Sequence, residues 1–252
     1  WGPDSQEVLD MTLRTDRLVK DLLDFLDAKV GRGNWVLGMS ADHGVCPIPE
    51  IAARQGKDAG RIAPETLKAK AAQALQEAFA KDRPMLPWIE ASSRYGPWVW
   101  LNRATLKEAK VTRAQAEKVV AEGWAKIPGV LASFTRSQIQ SRAAAADPLL
   151  DSVRLSFHPD HSGDVTIVPR PYYVISEPIT SVKADAYRAI HGSPHPYDTH
   201  VPLVVLGPGI EPGVYRERIV PQALVAILAE ALHLPVPAGA IAKVPPGVFG
   251  KR

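Results

Sequence analysis

The stretch from Asp4 to Gly44 constrains the fold most tightly, because it reads as a helix, a short loop and an apolar strand in succession. Val8, Met11, Leu18, Leu22, Leu23 and Leu26 form a mostly helical apolar face, and Asp4 with Glu7 three residues on has capping-box spacing. Gly31 and Gly33 end the helix, and residues 35–39 follow as a buried strand. Helix, loop and strand in that order form one unit of a parallel α/β sheet. The strand delivers Asp42 and His43, followed by Gly44, to its carboxyl end, where open α/β sheets hold their ligands. Taken alone the pair is weak evidence, since an aspartate at a strand end is ordinarily a turn former.

After Gly44 the texture changes. Pro47 and Pro49 forbid immediate helix continuation, and a Gly-bearing loop runs to Arg61. The Ala-rich residues 64–82, with Pro64 at the start, predict a helix. Residues 95–102 read as a strand, 112–127 as a helix, 130–134 as a strand, and 137–157 as partly helical with a break at Pro148. Sheet texture returns at 164–168, 172–175 and 202–206, the last before the Gly207-Pro208-Gly209 turn, and 218–232 reads as a closing helix. The pattern predicts a core of residues 1–46 and 162–252, with a cap lobe of helices and strands inserted at 47–161.

The chain has 252 residues, 46% hydrophobic and 23% charged, enough for one large core or a core with a smaller lobe. Its 30 basic and 27 acidic residues leave a net charge of +3, too weak and dispersed for a nucleic-acid surface. A single cysteine, Cys46, excludes an intrachain disulfide and any Cys-rich metal site. No apolar run approaches the roughly 20 residues of a membrane helix. The chain starts at Trp1 without a methionine and leads at once into a helix, so it is expected to have been cut or processed upstream, together with any targeting segment.

A second cluster spans His191, Gly192, Ser193, Pro194, His195, Pro196, Tyr197, Asp198, Thr199 and His200, leading into the apolar strand. Three histidines and an aspartate in a Gly/Pro loop can be no more than a rigid polar turn. Loops on a rigid scaffold nevertheless carry a disproportionate share of function. His191 is the best ligand candidate, because Gly192 lets the backbone turn closely around an ion. Tyr197, Asp198 and His200 read as groups that orient the ligand or pack the loop, as metal-bound imidazoles require.

The run Ser40-Ala41-Asp42-His43-Gly44-Val45, continuing to Pro47-Ile48-Pro49-Glu50, resembles the alkaline phosphatase superfamily. The branch it resembles is that of the periplasmic phosphatases grouped with the type I phosphodiesterase/nucleotide pyrophosphatase enzymes. His191-Gly192-Ser193-Pro194 followed by Tyr197-Asp198-Thr199-His200-Val201-Pro202-Leu203 is the second matching motif, and Ser162-Gly163-Asp164-Val165 a third. Gly2-Pro3-Asp4-Ser5 with its helix resembles the segment that follows the family's first ligand pair. The resemblance implies an α/β fold, a three-layer sandwich of the alkaline phosphatase type with an inserted α+β cap lobe.

It further implies a site with two Zn2+ ions, in which Asp42 and His43 bind the zinc that holds the nucleophile and His191 binds the other. Two cations roughly 4 Å apart would clamp both apical oxygens of an in-line phosphoryl displacement. The implied activity is hydrolysis of phosphate monoesters through a covalent phospho-Thr or phospho-Ser intermediate, in the periplasm or outside the cell. The family's nucleophile, a further Asp ligand and an Asp-x-x-x-His ligand pair all precede the segment that matches Trp1. No catalytic residue is therefore expected within these residues, and the chain alone is expected to be inactive, its partner being the upstream part of the same polypeptide. A phosphodiesterase or nucleotide pyrophosphatase, or a fragment acting as a structural partner, are the alternatives.

Other motifs carry less. Gly38-Met39-Ser40-Ala41-Asp42 nearly matches the nucleophile elbow of α/β-hydrolases, but the final glycine is missing and prolines replace the helix that must follow. Ser40 is expected to be a sheet residue. His158-Pro159-Asp160-His161 reads as a surface turn, Trp98 and Trp100 as packing on a strand, and Cys46 as a buried thiol.

Overall fold

The structure is a computed structural model that describes residues 1–94, 96–141, 147–179 and 187–250. In chain order, α1 (Gln6–Leu26) runs through a π-helical turn (Asp27–Gly31) to β1 (Leu37–Ser40). α2 (Pro49–Arg54), β2 (Gly60–Ile62) and α3 (Pro64–Phe79) follow, then β3 (Ile89–Ser92) and β4 (Trp98–Leu101). α4 (Arg103–Glu108) and α5 (Arg113–Trp124) lead to β5 (Val130–Thr135), α6 (Arg136–Gln140) and α7 (Pro148–Leu155). The remaining elements are β6 (Val165–Pro169), β7 (Tyr173–Ile175), α8 (Pro196–Thr199), β8 (Leu203–Leu206) and α9 (Ala223–Ala231). None of the described helices is long and apolar enough to cross a membrane.

The chain divides into two compact units, one of Trp1–Pro3 with Val45–Asp198 and one of Asp4–Gly44 with Thr199–Arg252. In the smaller unit α1 starts at Ser5, not at Asp4. Ser5 is the last residue with extended dihedrals, and its hydroxyl accepts from the Val8 amide at 3.2 Å. That shift moves Glu7 to the second helical position, so the expected capping box does not form. Asp10–Arg14 and Lys20–Asp24 pairs, four residues apart, line the solvent side. No residue of α1 is buried, and Leu9, Met11, Leu18, Leu22 and Phe25 are exposed.

β1 pairs antiparallel with β8, Met39 opposite Val204 and Ser40 opposite Leu203. The expected parallel unit is corrected here, because helix–loop–strand texture reports how a strand is connected and not which strand lies beside it. The partner comes from far along the chain: the Ser40 hydroxyl donates to the Pro202 carbonyl at 2.8 Å, across 162 positions. Ser40 is thus a sheet residue. β1 is half-buried, with Met39 exposed. α9 packs on β1 at Gly38, where a Cβ would lie 2.5 Å from the Leu224 side chain, so glycine permits this close approach. α9 begins at Ala223, later than the expected 218, since Pro221 cannot donate to a helical ladder.

The larger unit is built on an antiparallel sheet of order β3-β4-β6-β5. β2 and β7 form a separate parallel pair. β6 thus shares a sheet with β4 and β5, on the far side of the 161/162 division drawn from the sequence. α3 and α5 bury Leu67, Ala71, Leu75, Ala116, Val120 and Trp124 in one core with Val99, Val165 and Ile167. Full burial of each large aliphatic side chain contributes about 1.5–3 kcal/mol. The indoles in this core satisfy their N–H groups: Trp124 donates to the Leu67 carbonyl at 2.8 Å and Trp88 to Gln76 Oε1 at 2.9 Å. Thr112–Gln115 and Thr135–Gln138 capping boxes start α5 and α6.

Asp164, buried to 1% exposure, anchors this unit. Its Oδ2 accepts from the Leu101 amide at 2.7 Å, and its Oδ1 binds both Arg103, at 2.7 Å, and Arg113. Gly163 is required beside it, since a Cβ there would meet the Val99 carbonyl oxygen at 2.5 Å. Trp98 packs against Phe157, with ring centroids 6.1 Å apart. Tyr95 and residues 142–146, parts of the expected strand and of the expected partly helical segment, lie outside the described residues.

Candidate functional site

The residues after β1 leave the sheet as an irregular turn. Asp42 Oδ1 accepts from the His43 amide at 3.1 Å, and Asp42 Oδ2 lies 3.5 Å from His43 Nε2. His43 Nδ1 is 2.7 Å from the Gly44 carbonyl oxygen. A carbonyl can only accept, so Nδ1 carries the proton, and in the neutral imidazole the lone pair sits on Nε2, on the side of the Asp42 carboxylate. A metal-binding histidine needs that arrangement: one ring nitrogen held by a backbone carbonyl, the other presented beside a carboxylate. The Asp42 side chain is 88% exposed.

Four residues past Asp42, the Cys46 amide donates to the Ile190 carbonyl at 3.0 Å. Ile190 directly precedes His191. His191 is exposed, and Gly192 after it takes φ +107°, a conformation open to glycine at no steric cost. The loop beyond is held from within. Asp198, 4% exposed on the short α8, accepts through Oδ2 from the Ser193 amide at 2.7 Å and the Ser193 hydroxyl at 2.6 Å. Its Oδ1 is buried without a hydrogen-bond partner among the described residues. His195 is also buried, with Nε2 2.8 Å from the Pro169 carbonyl oxygen.

Tyr197 lies beside His195 and Tyr172, at centroid distances of 5.5 and 5.9 Å, and its hydroxyl accepts from the Tyr172 amide at 3.2 Å. Burial pushes the Tyr197 phenol well above its usual range. Burial also pushes the Cys46 thiol, which hydrogen-bonds Tyr197, up to about 11. Both groups are therefore neutral at physiological pH.

Of the residues singled out in the sequence, Tyr197 and Asp198 lie in the larger unit and tie the loop that begins at His191. His200 is exposed, at the start of the chain segment of the smaller unit. Ser193 and His195 escaped a role in the sequence reading. Serine and histidine in a Gly/Pro loop look the same whether they point to solvent or inward, and only the pairing with Asp198 and Pro169 separates the cases. His158, Asp160 and His161 form the expected turn, with the Ser162 amide donating to the His158 carbonyl at 2.9 Å and the two imidazoles 4.6 Å apart.

The donors suit zinc in kind, since carboxylate oxygen and imidazole nitrogen are ordinary zinc ligands. They do not suffice in number. Among the described residues no group of three or more His, Cys, Asp or Glu side chains gathers in a way that could hold a metal ion. A four-coordinate centre at Asp42–His43 would draw further ligands from other residues.

The chain is 27% identical to alkaline phosphatase PafA of Elizabethkingia meningoseptica over 251 residues, which is 100% of this chain and 43% of that protein. It is 27% identical to alkaline phosphatase PhoV of Synechococcus elongatus, across 97% of this chain and 41% of the relative. The crystal structure of wild-type PafA superimposes with a TM-score of 0.81 at 26% identity, covering 99% of this chain and 45% of that one. The fold is therefore α/β of the alkaline phosphatase type, and the chain spans less than half the length of these relatives. With residues 1–194 matched by the family of type I phosphodiesterases and nucleotide pyrophosphatases, the chain belongs to that family, within the alkaline phosphatase superfamily.

Proposed function

We propose that this chain is the C-terminal portion of a two-zinc phosphatase that hydrolyses phosphate monoesters through a phospho-Thr or phospho-Ser intermediate on an upstream residue. The observation that carries the reading is the Asp42–His43 turn, in which the Gly44 carbonyl fixes the tautomer and leaves the Nε2 lone pair beside a carboxylate. Asp42 and His43 would hold one zinc and His191 the other. Tyr197 and Asp198 keep the His191 loop in place, and His200 is assigned to the same supporting role. Bound zinc would supply Lewis-acid stabilisation of the phosphoryl oxygens. The protein's own part is to present an imidazole in one tautomer, keep the loop rigid and hold neighbouring hydroxyl and thiol groups neutral.

In this reading the enzyme works in the periplasm or outside the cell. The upstream part of the polypeptide supplies the nucleophile and the remaining ligands, so the chain alone is inactive. The test is made in the intact protein. Asp42→Ala or His191→Ala should cut nitrophenyl phosphate hydrolysis by orders of magnitude and lower zinc content by plasma emission. Unchanged zinc stoichiometry in both variants refutes the ligand assignment.

A second reading is favoured by the family match itself: a phosphodiesterase or nucleotide pyrophosphatase using the same ligands. Rates on a nitrophenyl monoester and on the corresponding diester separate the two.

A further inference from the structure

Arg61 lies on β2, and its side chain is only 3% exposed, unusual for a guanidinium. Its Nε and Nη2 donate to the two Glu50 carboxylate oxygens at 2.6 and 3.0 Å, a bidentate fork. The same guanidinium donates through Nη1 to the Tyr187 carbonyl at 3.1 Å and through Nη2 to the Arg188 carbonyl at 2.8 Å. One side chain thus grips the first turn of α2, four residues beyond Cys46, and the stretch two to three residues before Ile190. The Cys46–Ile190 backbone bond joins the same two segments at 3.0 Å. β2 itself is held by its parallel pairing with β7.

We infer that Arg61 is a positioning residue: its clamp on Glu50 and on the carbonyls of Tyr187 and Arg188 holds the segment that enters His191 against the segment that follows the Asp42–His43 turn. A solvated lysine could not replace it. Two coplanar N–H bonds to a carboxylate with two more to backbone carbonyls need a planar fork with several fixed donors, whereas an ammonium is a point charge. Removal would loosen the stretch that leads into His191, so the effect falls on metal retention.

The inference rests on the zinc reading above, and the experiment keeps the two apart. Zinc affinity is measured by chelator competition on the intact wild-type protein, on Arg61→Lys and on Glu50→Gln, with amide exchange at Cys46 and thermal melting alongside. Arg61→Lys should weaken zinc binding roughly 10–100-fold, as loss of a group supporting a ligand typically does. The Cys46 amide should exchange faster, and Glu50→Gln should fall between the two. A lowered melting temperature with zinc affinity equal to wild type in both variants marks Arg61 as merely structural and overturns the clamp. If Arg61→Lys fails to fold, Glu50→Gln, a change at a half-exposed side chain, decides by the same criterion. A wild-type protein that takes up no zinc overturns the functional reading, and this role of Arg61 with it.

Discussion

The amide of Cys46 donates to the carbonyl of Ile190 at 3.0 Å, tying main chain to main chain beside the two motifs that carry the candidate chemistry. In sequence, Cys46 comes three residues after His43, and Ile190 directly before His191. A backbone bond of this kind is indifferent to side-chain identity, so it persists through most substitutions.

Cys46 should be inert while the protein is folded. Burial raises its thiol from an ordinary 9.0 to about 11, which leaves about 100-fold less thiolate at neutral pH. Iodoacetamide at neutral pH should label it at least that much more slowly than in urea-unfolded protein, as read by intact mass. Rapid labelling of the folded chain would contradict the burial of this thiol.

Asp198→Ala should destabilise the larger unit by about 1–2 kcal/mol, because the partly buried Ser193 amide and hydroxyl lose their acceptor. Asp198→Asn should cost less, since an amide oxygen can still accept from Ser193. Urea denaturation of the three proteins gives the order directly.

The Glu50–Arg61 clamp should fail in acid. Arg61 beside Glu50 holds its carboxyl below the ordinary 4.5, with Arg188 adding in the same sense. A carboxylate whose folded value is depressed contributes stability fully above its unfolded value, and that contribution disappears as pH falls through the folded one. Melting temperatures of wild type and Glu50→Gln should therefore differ above pH 4.5 and converge below it. A gap that stays constant down to pH 3 would be the wrong outcome.

Asp164→Ala should cost about 1–3 kcal/mol, chiefly because the buried Leu101 amide loses its acceptor. Arg103 and Arg113, both with access to solvent, would lose the carboxylate they share, and Arg113 would keep Glu117. Chemical denaturation measures the loss, and circular dichroism of the variant distinguishes destabilisation from misfolding.

Much of this was legible in the residues. Local signals sufficed for α3 and α5, whose apolar spacing and start residues act within a few positions, and for the presence of α1 but not for its cap. The strands near Val130, Val165 and Leu203 were equally plain. What failed was anything decided at a distance. Nothing near Ser40 announces that its partner is Pro202, so the antiparallel pairing of β1 could not be read. Short elements such as β2 and β3 are held by their neighbours and carry too few residues for a periodic signal. At the candidate site, Asp42, His43 and His191 stand out as chemical types beside glycines. Arg61 does not, because a buried arginine and a solvated one look the same in a sequence.

The pairing of β1 with β8 alone has a consequence for handling the protein. Among the described residues this two-stranded sheet has no third strand, and Met39, Val204 and Leu206 lie exposed on it. Strand edges without partners template pairing with other chains, and a lone two-stranded ribbon is marginal in water. As an isolated polypeptide the chain should therefore be sticky: a concentration-dependent rise in light scattering, relieved by a charged residue at Met39, is the expected colloidal signature. Its shelf life in a tube would be governed by those strand edges before any chemistry at Asp42 came into play.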